Sequence, residues 1–204
     1  MTAPASKDTR PAEFVLDRAD AVPALIGRFD DFLIVAGLAG TARELKAHTD
    51  GAPNLFALAG VMGAAVTMGL GLALAQPERR VLVATGDGEL LMNIGSLATV
   101  ALMAPANLSI LCVDNGHYGE TGYQLSHSSR GVDLAEMAAG AGIPATTVVQ
   151  STADYETGRR LLRAGNGPTF VLLRVKPTDP PSGKFSLDAV AARIAFRSAL
   201  LGSR

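Results

Sequence analysis

The chain has 204 residues, room for one α/β domain with tails but not for two full domains. Apolar residues make up 48% and charged residues 18%, which excludes a mainly disordered chain, and 18 basic against 19 acidic residues leave no basic field to hold nucleic acid. A single cysteine, Cys112, excludes a disulfide framework, a zinc knuckle or an iron–sulfur cluster built within this chain.

Residues 1–11 read as a flexible polar tail without the apolar stretch of a secretory signal, so a cytoplasmic protein is expected. Ala12 to Gly27 has helical spacing in Phe14, Leu16, Val22 and Leu25. Phe32 to Gly37 reads as a buried parallel strand ending in glycine, and Thr41 as the cap of a short helix, ARELKAH. Asn54 to Leu58 reads as a second strand, followed by a buried helix from about Val61 to Ala75. Leu55 to Leu74 carries no charge and four glycines, and about twenty such residues could span a bilayer. Pro77, Glu78, Arg79 and Arg80 instead lead straight into the strand Val81 to Thr85, which favours a buried helix between strands and no membrane association.

Leu90 to Met103 then reads as a helix, Leu108 to Val113 as a strand, and Asn115 to Arg130 as an aperiodic loop. Val132 to Ala141 is helical, Ala145 to Val149 a strand, Thr152 to Ala164 a helix and Thr169 to Val175 the last strand. Prolines 177, 180 and 181 break the chain before a helix from Leu187 to Leu201. Alternating strands and helices predict an α/β fold, a doubly wound parallel sheet with helices on both faces, over residues 12–176, with a linker and helix over 177–204. Ligands of such sheets bind at the carboxyl ends of the strands.

At one such end stands Gly86-Asp87-Gly88, between a strand and a helix. Glycine lets the backbone approach a ligand, the helix start offers free N–H groups to an anion, and a carboxylate there can bind a hard divalent cation. Asp114-Asn115-Gly116 ends the next strand, so adjacent parallel strands would bring Asp87 and Asn115 to one sheet edge. With 22 glycines and 12 aspartates, chance alone places a Gly-Asp-Gly in roughly one such chain in seven. Its position, with Asn115 after the next strand, gives the motif its weight.

The run GDGELLMNIGSLATVALMAPANLSILCVDN resembles the diphosphate-binding motif of thiamine diphosphate enzymes. With YGETG after it and AGVMGAAVTMGLGLAL before it, the match looks most like sulfopyruvate decarboxylase β chains and the related phosphonopyruvate decarboxylases, over roughly residues 30–176. The resemblance implies thiamine diphosphate and Mg²⁺ as cofactors. It implies that Asp87 and Asn115 bind the metal through side-chain oxygens and His117 through its backbone carbonyl, and that the Gly88 and Glu89 amides meet the diphosphate. Met62 matches the apolar wedge that bends the cofactor, Gly60 the carbonyl that accepts from its amino group, and Tyr118 and Gly119 the loop closing over the diphosphate. Asp114 departs from the more common asparagine.

In this family a glutamate of a pyrimidine-binding domain activates the cofactor. None of the seven glutamates stands in such a context, so the resemblance implies a separate α subunit that supplies it. The implied substrate is a small 2-oxo acid, which would lose carbon dioxide to give an aldehyde. Glu120 lies one position from where some decarboxylases carry a catalytic proton relay. Ser126, His127, Ser128 and Arg130 are candidates for binding a sulfonate or phosphonate.

Plainer readings stand beside these. Asp87 and Asn115 are also ordinary turn residues, Met62 a core residue, Glu120 a solvated one, and His127 and Arg130 surface groups. Carboligation on the same cofactor and a non-catalytic assembly module that keeps the fold are the rival functions. A nicotinamide-binding domain fails, because Gly37-Leu38-Ala39-Gly40 has the wrong glycine spacing.

Overall fold

The computed structural model describes residues 14–58, 60–182 and 188–202. In chain order the elements are α1 (Arg18–Ile26), β1 (Phe32–Ala36), α2 (Ala39–Thr49), β2 (Leu55–Ala57), α3 (Ala65–Ala75), β3 (Arg80–Gly86), α4 (Asp87–Leu91) and α5 (Ser96–Met103). Then follow β4 (Leu108–Asp114), β5 (His117–Tyr118), β6 (Gln124–Leu125), α6 (Leu134–Gly140), β7 (Ala145–Val149), α7 (Tyr155–Leu162), β8 (Thr169–Arg174) and α8 (Ala189–Leu201).

Among the described residues, six strands form one parallel sheet in the order β2-β1-β3-β4-β8-β7. The four inner strands are buried along nearly their whole length, and the edge strands β2 and β7 only in part. Strands covered on both faces need such near-continuous apolar runs. Leu33 and Val35 of β1 join the core under α3, α5 and α6, whereas Phe32, Ile34 and Ala36 join the core under α1, α2 and α7. Alternate residues thus feed opposite faces, and the sheet is doubly wound. The chain runs from β1 outward to β2 and returns to β3 on the other side of β1, so the strand order reverses between β1 and β3.

Several boundaries differ from the sequence reading. Helix α1 starts at Arg18 rather than Ala12, because the Asp17 side chain accepts from the Ala19 N–H at 2.9 Å and fixes the start there; residues 12 and 13, like the 1–11 tail, lie outside the described residues. Thr41 does not cap α2: the helix begins at Ala39, and Thr41 is buried in its first turn. The 61–75 stretch is helical only from Ala65, after a turn in which Gly63 takes φ +79°, and only one side of α3 is buried. The 90–103 stretch breaks between α4 and α5, where i→i+3 bonds such as Asn93 N to Leu90 O replace the α-helical pattern around Asn93 and Gly95. Within the 115–130 loop, β5 and β6 pair as a small antiparallel hairpin.

Described residues on both sides of 183–187 contact the domain. The Lys176 N–H donates to Leu16 O and the Arg18 guanidinium to Thr178 O, at 2.9 and 3.0 Å. Phe196 of α8 packs edge-on to Phe56 of β2, ring centres 5.8 Å apart. Among the described residues no helix is long and apolar enough to cross a membrane.

Candidate functional site

A cavity of about 360 Å³ opens at the carboxyl ends of β1, β3 and β4, the switch point of the sheet. Three turns build it: Leu38 to Thr41 entering α2, Gly86 to Glu89 entering α4, and Asn115 to Thr121 after β4. The register Gly86↔Val113 sets Asp87 beside Asp114 at the ends of adjacent strands.

Of the residues singled out in the sequence, Met62, Asp87, Gly88, Glu89, Asn115, His117, Tyr118, Gly119 and Glu120 all line this cavity. Gly60 does not line it; it is exposed, next to the Met62 turn. Ser126 and Ser128 also stand apart from the lining. They are buried, at 1% and 5% exposure, and bonded to acids, which removes them as open substrate contacts. His127 and Arg130 are exposed outside the cavity.

Asp87 and Asp114 are each 2% exposed. Ser126 Oγ donates to Asp87 Oδ2, Ser128 Oγ lies 3.1 Å from the same oxygen, and Ser128 Oγ donates to Asp114 Oδ1 at 2.6 Å. Burial raises the pKa of both acids; for Asp114, burial and the nearby Asp87 charge push it up to about 6, against a smaller opposing pull from Ser128. Asp87 has no ion pair among the described residues, and Arg174, the cation acting on Asp114, is bonded to Asp133 at 3.0 Å. Two adjacent buried carboxylates with so little positive charge are a donor set suited to a hard cation.

The turn after β4 is tightly specified. His117 N donates to Asn115 Oδ1 at 3.0 Å, and His117 Nδ1 donates to the Asn115 carbonyl at 2.8 Å. An amide oxygen has two lone pairs, so this turn bond leaves one on Asn115 for a cation. Gly116 takes φ +70°, and its carbonyl accepts from Ser126 N at 2.9 Å and from Ser129 Oγ. Gly88 is required by crowding: a Cβ there would lie 2.3 Å from Tyr118 Cε1. Tyr118 thus packs directly over the start of α4.

Glu89 carries more than a backbone amide. Its side chain is buried against Gly37, where a Cβ would fall 1.6 Å from Oε2, and its Oε1 has no hydrogen-bond partner. Burial raises its pKa. Glu120 is half-exposed and faces Arg43 of α2 at 3.3 Å.

Sequence reasoning missed the α2 entrance and the cations Arg18 and Arg43, all of which line the cavity. Arg18 is buried, paired with Glu44 at 3.2 Å and bonded to Thr178 O. Thr178, Asp179 and Pro180 complete the wall, and Tyr123 donates to Asp179 Oδ1 at 2.5 Å. A signal for the α2 entrance was present: Gly37-Leu38-Ala39-Gly40-Thr41 is itself a glycine-rich strand-to-helix turn at a carboxyl edge.

Several large apolar side chains near the rim and on α3 and α5 are exposed. Met62, 39% exposed, stands beside the turn at Met92, where Asn93 Nδ2 donates to Gly63 O at 3.0 Å. Met68 and Leu74 of α3 and Leu102 and Met103 of α5 are exposed on helices that pack together. No Asp, Glu, Lys or Arg occurs between Gly51 and Pro77 or between Leu90 and Val113.

Residues 39–173 match the family model described as thiamine pyrophosphate enzyme, C-terminal TPP binding domain. The chain is 38% identical over 175 residues to the sulfopyruvate decarboxylase subunit beta of Methanothermobacter thermautotrophicus, covering 86% of this chain and 90% of that protein. It is 40% identical over 170 residues to the phosphonopyruvate decarboxylase of Streptomyces hygroscopicus, covering 83% of this chain and 42% of that protein. Among solved structures, a thiamine diphosphate-dependent 4-hydroxybenzoylformate decarboxylase of Rhodococcus jostii RHA1 shares the fold, with TM-score 0.66, 24% identity, and coverage of 83% of this chain and 34% of that one.

Proposed function

The chain belongs to the thiamine pyrophosphate enzyme family, through the C-terminal cofactor-binding domain, and from that premise we propose that it is the diphosphate- and Mg²⁺-binding subunit of a two-chain decarboxylase acting on a small 2-oxo acid. The observation that carries this reading is the buried Asp87 carboxylate, without an ion pair among the described residues, facing a cavity that Asn115 and the 116–119 backbone also line. The names of the relatives favour a 2-oxo acid bearing a sulfonate or phosphonate.

Thiamine diphosphate, when bound, supplies the nucleophilic carbon and electron sink that decarboxylation of a 2-oxo acid requires. The chain's own residues bind and orient. Asp87 and Asn115 would hold Mg²⁺ through side-chain oxygens and His117 through its carbonyl, while the Gly88 and Glu89 amides would meet the diphosphate. Met62 at the rim would support the cofactor, the Gly60 carbonyl, just outside the cavity lining, would accept from its amino group, and Tyr118 and Gly119 would close over the diphosphate. Glu120, 3.3 Å from Arg43 at the mouth of the cavity, would move a proton there.

A second chain supplies the activating glutamate. The exposed apolar side chains of Met62, Met92 and Leu102 support this part of the reading, because a partner docked over them would cover surface now 39%, 58% and 83% exposed. The test is calorimetric titration of thiamine diphosphate with Mg²⁺ into the chain alone, into the chain with its candidate α subunit, and into Asp87→Ala. Binding that needs the partner and vanishes in the variant supports the proposal, and carbon dioxide release from sulfopyruvate or phosphonopyruvate then assigns the substrate. Absence of binding in every sample refutes it.

A further inference from the structure

We infer that Ser126 and Ser128 are positioning residues that make Asp87 offer a single oxygen to its cation, and that they thereby set the preference of this site for Mg²⁺ over Ca²⁺. The inference rests on the metal-binding role proposed for Asp87. Ser126 donates to Asp87 Oδ2, and Ser128, whose single proton goes to Asp114 Oδ1, stands beside that bond, 2.8 Å from Ser126 Oγ. Both serines are buried and absent from the cavity lining, whereas Asp87 lines it. Oδ2 is therefore engaged on the protein side, and Oδ1 is the oxygen the hydroxyls leave for a ligand.

The serines are placed by the same turn that carries the other proposed ligands. Ser126 N and Ser129 Oγ both donate to the Gly116 carbonyl, between Asn115 and His117. Ser128 donates to Asp114 Oδ1, so the hydroxyl pair ties both strand ends to the turn. Ca²⁺ accepts a bidentate carboxylate and a loose shell, whereas Mg²⁺ demands near-octahedral geometry and a compact set of single oxygens. A carboxylate with one oxygen held back favours the smaller ion. Freeing that oxygen favours the larger.

The experiment compares the full chain, in complex with its α subunit, with the same complex carrying Ser126→Ala, Ser128→Ala or Ser126→Cys. Mg²⁺ and Ca²⁺ affinities are measured by calorimetry at fixed pH with saturating thiamine diphosphate, and circular dichroism checks folding. Outer-shell partners typically carry about 10- to 100-fold in metal affinity. The alanine variants should lose about that much for Mg²⁺ and far less for Ca²⁺, so that the Mg²⁺/Ca²⁺ affinity ratio falls at least about tenfold. Ser126→Cys fills the space left by alanine with a somewhat larger group that is only a weak donor, so it should follow the alanine variant. Equal loss for both ions, an unchanged ratio, or wild-type behaviour of Ser126→Cys would overturn the inference. Failure of the wild-type complex to bind either ion would instead remove the metal-site reading beneath it.

Discussion

Replacing Asp114 with asparagine removes one of two negative charges buried side by side at the ends of β3 and β4. The Asp114 pKa is raised from 3.8 to about 6, first by burial and then by the Asp87 charge. That change corresponds to about 3 kcal/mol between the protonated and ionised forms. Because the folded-state value lies above the unfolded one, the folded protein keeps this proton to higher pH. Stability therefore falls as pH rises from about 4 to about 6, and the full cost persists above that. An asparagine oxygen can still accept from Gly116 N and Ser128 Oγ, the two bonds the carboxylate makes through Oδ1.

Asp114→Asn should accordingly stabilise the cofactor-free protein by up to about 3 kcal/mol above pH 7, a rise of roughly 6–12 °C in melting temperature for a chain of this length. The gain should shrink toward zero near pH 4. Calorimetric or far-ultraviolet melting in a metal chelator, stepped from pH 4 to pH 8, reads this directly; tryptophan fluorescence is no use, since the chain has no tryptophan. A variant that melts at or below the wild type at pH 7.5, or one whose gain is the same at both ends of the range, refutes the electrostatic reading of this pair.

Three further predictions concern the walls of the cavity and its rim. Gly37→Ala should destabilise the chain, since the new Cβ would fall on the Glu89 carboxylate; a double-mutant cycle with Glu89→Ala should show a favourable coupling above about 1 kcal/mol, and simple additivity would count against that contact. Gly88→Ala should displace Tyr118 and cost about 1–3 kcal/mol in melting experiments, with a parallel loss of thiamine diphosphate affinity in titration. Met68→Glu combined with Leu102→Glu should leave the isolated chain within about 1 kcal/mol of wild type, both sites being exposed, yet weaken association with the α subunit by tenfold or more in sedimentation or titration. An unchanged association would move the docking face elsewhere.

The sequence alone carried the sheet and one side of the cavity. Strands β1, β3, β4 and β8 are legible because burial on both faces demands continuous apolar runs, and that requirement is local to each segment. Asp87 and Asn115 were legible for the same reason: each follows such a run at a glycine, and parallel adjacency brings both to one edge. Whether Asp17 or an earlier residue starts α1 rests on a single side-chain bond, so no periodicity could reveal it. Helix α3 is apolar on every side, and sequence pattern could not separate the side packed on β3 from the side carrying Met68 and Leu74.

Only the tertiary structure decided what faces the cavity from distant parts of the chain. Arg18, Arg43 and Thr178 meet there although they are far apart in sequence, because the sheet reverses order between β1 and β3 and the segment after β8 folds back over the turn. It likewise turned Ser126 and Ser128 from candidate substrate contacts into buried partners of Asp87 and Asp114. Hydropathy records how a residue partitions from water, whereas which acid a hydroxyl finds inside depends on where the backbone of the whole fold brings it.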